Sequence, residues 1–294
     1  MNEKQDELVD QLWQTACDLL DALEGADEAA ARAQLAPDSK ADILCRLFGL
    51  RPLLILTYGH HEGGGYFPTF YQEMPKGRIL FELARCRDAE HPQDTIEASF
   101  CLLMRLYRRR WRVEDIRPFS ADEDYTPERL MEMLERKQGD PMVLGLVTGA
   151  LQPKLLEEEE LDEVEELVLE GMAESGFSAL EQVNALRLWR DFKRKGEGYG
   201  RKMEAWAAAL EYVIGVLNMR DVSQKSSGEA YGVSTSTVAD RQKAIVDTLR
   251  IHQFDERYAL FDSPFSELEE LLRASGLKVP RIPFGAGRGK SYFG

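Results

Sequence analysis

Residues 223–250 place short hydroxyl side chains and cations around a single glycine corner, in the stretch SQKSSGEAYGVSTSTVADRQKAIVDTLR. A helix that begins after Ser234 would offer small hydroxyl groups that approach a groove closely, and its N-terminus would favour phosphate. Lysine and arginine further along would neutralise phosphate groups. The residues that this pattern assigns to DNA contact are Lys225, Ser234, Thr235, Ser236, Thr237, Asp240, Arg241, Lys243 and Arg250.

Two helices and a turn are needed to position these side chains. Asp221 or Ser223 is a suitable cap for a first helix of about two turns that ends near Tyr231, and Gly232 supplies the left-handed conformation that stops it. Ser234 then caps a second, longer helix. Val233 fills the corner, Gly228 permits close approach, and Val238, Ile245 and Leu249 form the inner stripe of the second helix. The pattern predicts a helix-turn-helix.

The preceding residues extend the pattern into a resemblance. AWAAALEYVIGVLN (205–218), SQK and YGVSTSTVADRQKAIVDTL together resemble the end of a cyclin-like repeat of the transcription factor B family, in which an alanine-rich core helix precedes a helix-turn-helix. The resemblance covers about 205–250 and implies the local fold and DNA binding, but not the family's role with polymerase. Ser226, Ser227 and Gly228 replace the family's acidic, apolar and alanine residues, and no zinc ribbon or first repeat precedes them.

The charge of the chain leaves a second function class open. A net charge of −15 argues against broad affinity for nucleic acids, although residues 189–250 hold eleven basic and eight acidic residues. WRDFKRKGEGYGRK (189–202) is a second basic strip in that region. The same helix pair also occurs as packing or as a protein-binding surface. The leading hypothesis is a DNA-binding transcriptional regulator, and the alternative is a helical interaction or scaffold protein that holds a protein partner or forms a homodimer.

A separate basic strip, RLYRRRWR, occupies residues 105–112. Its arginines are Arg105, Arg108, Arg109, Arg110 and Arg112. Arginine with aromatic neighbours suits phosphate contact and base stacking. The strip overlaps a helix predicted at 94–111, however, and its arginines would either line the solvated side of that helix or pair with the acidic segment 157–174, which holds ten acids and no base. Such pairing could form inside the molecule or across a dimer, and we expect the internal pairing.

Other chemistry is disfavoured by the sequence. His60, His61 and Glu62 are adjacent on a glycine loop, where neighbouring side chains rarely face one ion, and GGG at 63–65 lacks the helix and lysine of a phosphate loop. The four cysteines form no CxxC pair and predict buried thiols in a reducing cytoplasm. No catalytic constellation, metal site, cofactor motif or membrane span is expected.

Helical periodicity runs through most of the chain and predicts an all-α protein. Helices are expected at 5–24, 41–48, 94–111, 126–137, 155–174, 178–195 and 266–276. LLILTYG (53–59) is either a strand or the end of a buried helix. The predicted organisation is an N-terminal helical domain at 1–120 with a Gly-rich loop at 60–77, an acidic helical segment at 121–187, a cyclin-like helix-turn-helix module at 188–262, and a terminal helix with an extended tail at 263–294.

Overall fold

The chain forms two compact units in a computed structural model. The structure describes residues 3–58, 64–88, 90–121, 161–195 and 202–261, together with positions 126, 146, 263, 272, 275 and 283–285. The first unit takes in most of residues 1–125, and the second most of residues 157–294.

The first unit begins with four helices: α1 (Glu3–Glu24), α2 (Glu28–Gln34), α3 (Lys40–Phe48) and α4 (Arg51–Leu56). In α1 the buried side chains Leu12, Ala16, Leu19 and Leu23 recur every three or four residues, as an amphipathic helix requires. Ser39 caps α3, and Gly49 ends it at a φ of 77°. The apolar run 53–56 belongs to α4, so the helical alternative for LLILTYG is confirmed.

A four-stranded antiparallel sheet completes this unit, which makes the all-α prediction wrong. The strands β1 (Gly65–Met74), β2 (Arg78–Cys86), β3 (Ile96–Tyr107) and β4 (Arg110–Arg117) lie in the order β1-β2-β3-β4. Residues 65–74 of the predicted Gly-rich loop therefore form a strand. Pro68 is tolerated in β1 because this edge strand has a bulge between Pro68 and Phe70.

The helix predicted at 94–111 is also wrong, because these residues form β3 and the start of β4. Ile96, Phe100, Met104 and Tyr107 fit a helical spacing, but residues 100–104 are a continuous apolar run. Such a run also suits a strand that is buried on both faces. Phe100 lies opposite Leu83, and β2 and β3 pair along their length. The N-terminal domain is therefore mixed α/β.

Strand β4 joins the sheet to the helices. All four helices contact β4, and the backbone N–H of Ala36 donates to the carbonyl of Val113 at 2.8 Å. The Tyr58 hydroxyl, just after α4, donates to the carbonyl of Pro118 at 2.6 Å. The free edge of β4 is thus covered by the segment that follows α2.

The second unit contains five described helices: α5 (Glu163–Glu174), α6 (Ala179–Arg194), α7 (Met203–Leu217), α8 (Gln224–Ala230) and α9 (Thr235–Leu249). Helix α7 contacts each of the other four. Between Ala205 and Leu217 every residue except Tyr212 is buried, so α7 is the core helix. Its run of small alanines at 207–209 lets the neighbours approach closely.

The predicted helices of this unit are confirmed in part. Helix α6 matches the expected 178–195, and its N-terminus is fixed by a capping box between Ser178 and Glu181. A second capping box joins Asp162 to Glu165 at the start of α5. Residues 155–160 of the helix predicted at 155–174 lie outside the described residues, as do the helices predicted at 126–137 and 266–276 apart from isolated positions.

Candidate nucleic-acid interface

The corner predicted at Gly232 is a helix-ending turn between α8 and α9. Gly232 has a φ of 66°. The N–H of Val233 donates to the carbonyl of Gly228 at 2.8 Å, and the N–H of Gly232 donates to that of Glu229 at 3.3 Å. This pair of bonds is the Schellman motif, which favours glycine at the left-handed position. The predicted helix-turn-helix is confirmed as a local structure.

The turn packs closely against the last residues of α8. A Cβ on Gly228 would lie 2.7 Å from the carbonyl oxygen of Val233, so a larger residue would displace the turn. Ser227 is 1% exposed, and its hydroxyl has no hydrogen-bond partner among the described residues. Val233 is only half-buried, so the prediction that it fills the corner is wrong.

Helix α9 begins at a Ser234 cap, as the sequence predicts. The Ser234 hydroxyl accepts from the N–H of Thr237 at 3.2 Å, and it also bonds to the Thr237 hydroxyl at 2.7 Å. Val238, Ile245 and Leu249 are at most 4% exposed and face the core. The side chains exposed along α9 and at its end are Thr235, Ser236, Asp240, Lys243, Asp247 and Arg250.

The structure brings only some of the predicted DNA contacts together. Thr235, Ser236, Asp240 and Lys243 lie exposed on the first half of α9. Arg250 lies at the opposite end, where it closes α9 in the left-handed conformation.

Two predicted contacts have other partners. The Lys225 ammonium lies 3.8 Å from Glu229 on α8. The Arg241 guanidinium lies over the ring of Trp206, 4.7 Å from its centroid, and its Nε is buried. Arg241 therefore packs α9 onto α7, and its assignment to DNA contact stays a prediction. The direction of the Arg241 side chain depends on the position of α7, and the spacing of residues along α9 does not predict that position.

Electrostatically, the helix-turn-helix is balanced. Residues 221–250 hold four basic and four acidic side chains. On the exposed side of α9, Lys243 lies between Asp240 and Asp247, and all three are exposed. Attraction to phosphate from this surface is therefore weak, and any preference must come from close contacts of the hydroxyl side chains.

The expected second basic strip is mostly used inside the unit. Arg190 pairs with Glu165 at 2.9 Å, and Arg194 pairs with Asp191 at 2.8 Å. Lys193 donates a hydrogen bond to Asp162. Burial would raise the pKa of Asp162, but the hydrogen bonds from Lys193 and Trp189 hold that pKa below its usual range. Residues 196–201 lie outside the described part. The described half of this strip stabilises α5 against α6.

A buried polar contact that sequence reasoning missed anchors the turn. Tyr231, the last residue before Gly232, donates its hydroxyl to Glu211 of α7 at 2.8 Å. Burial raises the pKa of Glu211, and the hydrogen bonds from Tyr231 and Ser175 oppose that rise. The ring lies against Gly171 of α5, where a Cβ would come within 2.2 Å of the tyrosine oxygen. The sequence signal for this contact was Glu211, a carboxylate within an otherwise apolar stretch of α7, because a buried carboxylate needs a hydrogen-bond partner.

The arginines at 105–112 lie at the end of the β3–β4 hairpin. Arg105 pairs with Glu114 of β4 at 3.4 Å, whereas the expected partners were acids of 157–174. In that acidic segment, Asp162 and Glu165 pair with Lys193 and Arg190. Arg105 therefore has a partner within its own sheet, and the pairing expected with 157–174 stays a prediction; residues 157–160 lie outside the described residues.

Other candidate sites add no further chemistry. In the described ranges, no group of three or more His, Cys, Asp or Glu side chains is placed to hold a metal ion. His60, His61 and Glu62 lie outside those ranges. All four cysteines are free thiols, and three are buried. Within the same ranges, no helix combines the length and apolar character that crossing a membrane requires.

Comparison with known proteins assigns no function. No protein-family model matches the chain. No solved structure matches it either. A segment of 65 residues is 43% identical to the uncharacterized protein YccF of Bacillus subtilis (strain 168). This segment is 21% of the chain and 18% of that relative, so the chain spans less than a fifth of the length of the curated relative it matches.

Proposed function

We propose that this protein is a DNA-binding transcriptional regulator in which α9 enters the major groove. The observation that carries the proposal is the start of α9, where Thr235 and Ser236 are exposed immediately after the Schellman turn and the Ser234 cap. The N-terminal residues of the second helix are the ones that contact base edges in helix-turn-helix proteins. The resemblance of residues 205–250 to the transcription factor B family supports the same surface.

The free thiols support a reducing cytoplasm as the compartment. Cys45, Cys86 and Cys101 are buried as thiols and Cys17 is half-buried. Burial raises the pKa of Cys45 to about 12, so this thiol is protonated and unreactive at neutral pH.

Substitutions on α9 separate general attraction from base reading. Lys243→Ala should weaken all DNA about equally and reduce the slope of log affinity against log salt by roughly one. Thr235→Ala and Ser236→Ala should alter sequence preference more than general affinity. Asp240→Asn should raise non-specific binding. Gel shifts with genomic fragments, repeated at several salt concentrations from about 50 mM upward, would measure all three effects, since phosphate contacts are strong at low salt.

A matched control is available in the same unit. Lys195→Ala removes one exposed lysine of the second basic strip, outside the helix-turn-helix, and it should reduce the salt slope by less than Lys243→Ala does. Equal effects of Lys195→Ala and Lys243→Ala would show that only total charge matters, and the α9 proposal would fail.

The carboxylates on α9 favour a second candidate, a helical module that binds a protein. Asp240 and Asp247 are both exposed on this helix, and acidic side chains there disfavour a polyanion. If the wild-type protein shifts no DNA, while a purified complex with a protein partner is lost on changing Thr235 or Lys243, the interaction module replaces the DNA proposal.

A further inference from the structure

The β3–β4 hairpin ends in a tight turn made of two arginines. Tyr107 lies opposite Arg110, so the loop consists of Arg108 and Arg109 alone. Their φ values are 47° and 68°, which is the pattern of a two-residue hairpin turn that favours Asn-Gly. Each residue with a side chain in this conformation costs roughly 1 kcal/mol. The turn therefore keeps two arginines at positions where folding alone favours smaller residues.

Most of the arginines on this hairpin form no ion pair with a described residue, although the Arg108 guanidinium lies over the Tyr107 ring, 5.4 Å from its centroid. Glu114 lies beside Arg105, and Asp115 lies 3.7 Å from Lys40, so the acids of β4 are already paired. In the part of the chain that the structure describes, the other four arginines form no ion pair: Arg108, Arg109, Arg110 and Arg112. Because the chain is acidic overall, this local excess of positive charge is not a product of composition.

The cross-strand register places Arg105, Arg110 and Arg112 on one face of the hairpin, and Arg108 and Arg109 form its turn. Arg105 lies directly opposite Arg112, and Tyr107 lies opposite Arg110. Like charges in directly opposed positions destabilise a sheet. The other face carries Leu106, 51% exposed, opposite the half-buried Trp111. The face that carries Arg105, Arg110 and Arg112 therefore suits a partner that offers closely spaced anions.

We propose that residues 105–112, the arginine hairpin, bind the phosphate backbone of duplex DNA as a two-stranded ribbon in the major groove. Neighbouring strands lie about 4.8 Å apart, and the major groove of B-DNA, about 12 Å wide, admits such a ribbon. The deep groove of duplex RNA is too narrow for side chains to read. Guanidinium groups bind phosphate through paired hydrogen bonds. The site lies in the first unit and does not depend on the α9 proposal.

The turn itself offers a variant that removes charge without endangering the fold. Arg108→Asn with Arg109→Gly installs the preferred turn residues, so the hairpin should become no less stable. DNA affinity of the full chain should nevertheless fall, by roughly tenfold per lost phosphate contact at about 50 mM salt. The salt slope should fall by roughly two. Arg108→Lys with Arg109→Lys keeps both charges and should retain the slope.

Fluorescence anisotropy with labelled DNA of about 30 base pairs would measure these effects. The same measurement with duplex RNA of equal length should give weaker binding, because the ribbon does not fit that groove. Polyglutamate serves as a competing acidic protein segment and should displace the DNA poorly. Thermal unfolding of each variant would confirm that a change in binding is not a change in stability.

Each outcome decides the proposal. Unchanged DNA binding in the Asn-Gly variant would overturn it, even where Lys243→Ala still weakens binding and the α9 proposal survives. Loss of DNA binding in the Asn-Gly variant, together with unchanged binding in Lys243→Ala, would support the arginine hairpin and remove α9 as the contact. Strong binding of polyglutamate without binding of DNA would identify an acidic protein as the partner and overturn the DNA proposal.

Discussion

Replacing Gly171 by alanine should destabilise the second unit, because the new methyl group would enter the space of the Tyr231 ring. A Cβ at position 171 would lie 2.2 Å from the tyrosine oxygen and 2.5 Å from the ring carbon that carries it. The ring must move by about 1 Å to reach an ordinary contact near 3.5 Å. That movement would break the 2.8 Å hydrogen bond from Tyr231 to Glu211.

The expected cost follows from three contributions. Overpacking of this kind costs about 1–3 kcal/mol, and a lost hydrogen bond to a charged group costs about 1.5–3 kcal/mol. Alanine returns about 1 kcal/mol, because it is a better helix former than glycine. Gly171→Ala should therefore lower the free energy of unfolding by about 3 kcal/mol.

A second substitution reverses the sign of the effect. When Tyr231→Ala has removed the ring, the methyl group at 171 meets no obstacle, and Gly171→Ala should stabilise α5 by up to about 1 kcal/mol. Urea unfolding followed by tryptophan fluorescence would measure the cycle. A Trp13→Phe, Trp111→Phe background leaves Trp189 and Trp206 as reporters of the second unit. The same cost of Gly171→Ala with and without the ring would refute the contact.

Four further substitutions test the packing of the helix-turn-helix and of α7 beneath it. Ser227→Ala should stabilise the protein by about 1 kcal/mol because it removes a buried hydroxyl that has no hydrogen-bond partner among the described residues. Ser226→Ala should instead destabilise it by breaking a capping bond of 2.9 Å, and thermal unfolding would compare the two. Arg241→Ala should lower stability by about 1 kcal/mol through loss of the contact with Trp206, and a change in DNA salt slope without a change in stability would contradict this. Because burial raises the pKa of Glu211 above 4.5, the stability that protonation contributes is lost as pH rises through the raised pKa. Glu211→Gln should therefore gain stability relative to the wild type as pH rises above the ordinary range of a glutamate. Parallel plots of stability against pH for the two proteins would contradict a raised pKa of Glu211.

Local signals explain what the sequence predicted well. The turn at Gly232 and the cap at Ser234 depend on residues within one helical turn of each other, so the α8 and α9 boundaries follow from the sequence. The burial of Val238 and Ile245 follows from helical spacing in the same way.

Contacts between distant segments explain what it predicted badly. Arg241 has the spacing of an exposed residue, but α7 brings Trp206 beneath it. The contact between Gly171 and Tyr231 joins segments that are far apart in the sequence. Strand β3 was mistaken for a helix because its short apolar run fits both periods, and only pairing with β2 decides between them.

The two proposed DNA surfaces differ in what they would contribute. On α9, the single exposed lysine lies between two exposed aspartates, so attraction to phosphate is small and hydroxyl contacts would carry the sequence preference. The arginine hairpin has the opposite character, because four of its guanidinium groups form no ion pair among the described residues. Since phosphate contacts set affinity and salt dependence, the hairpin should dominate both. Base preference should then respond to changes at Thr235 and Ser236 while the salt slope responds mainly to changes at 108–112.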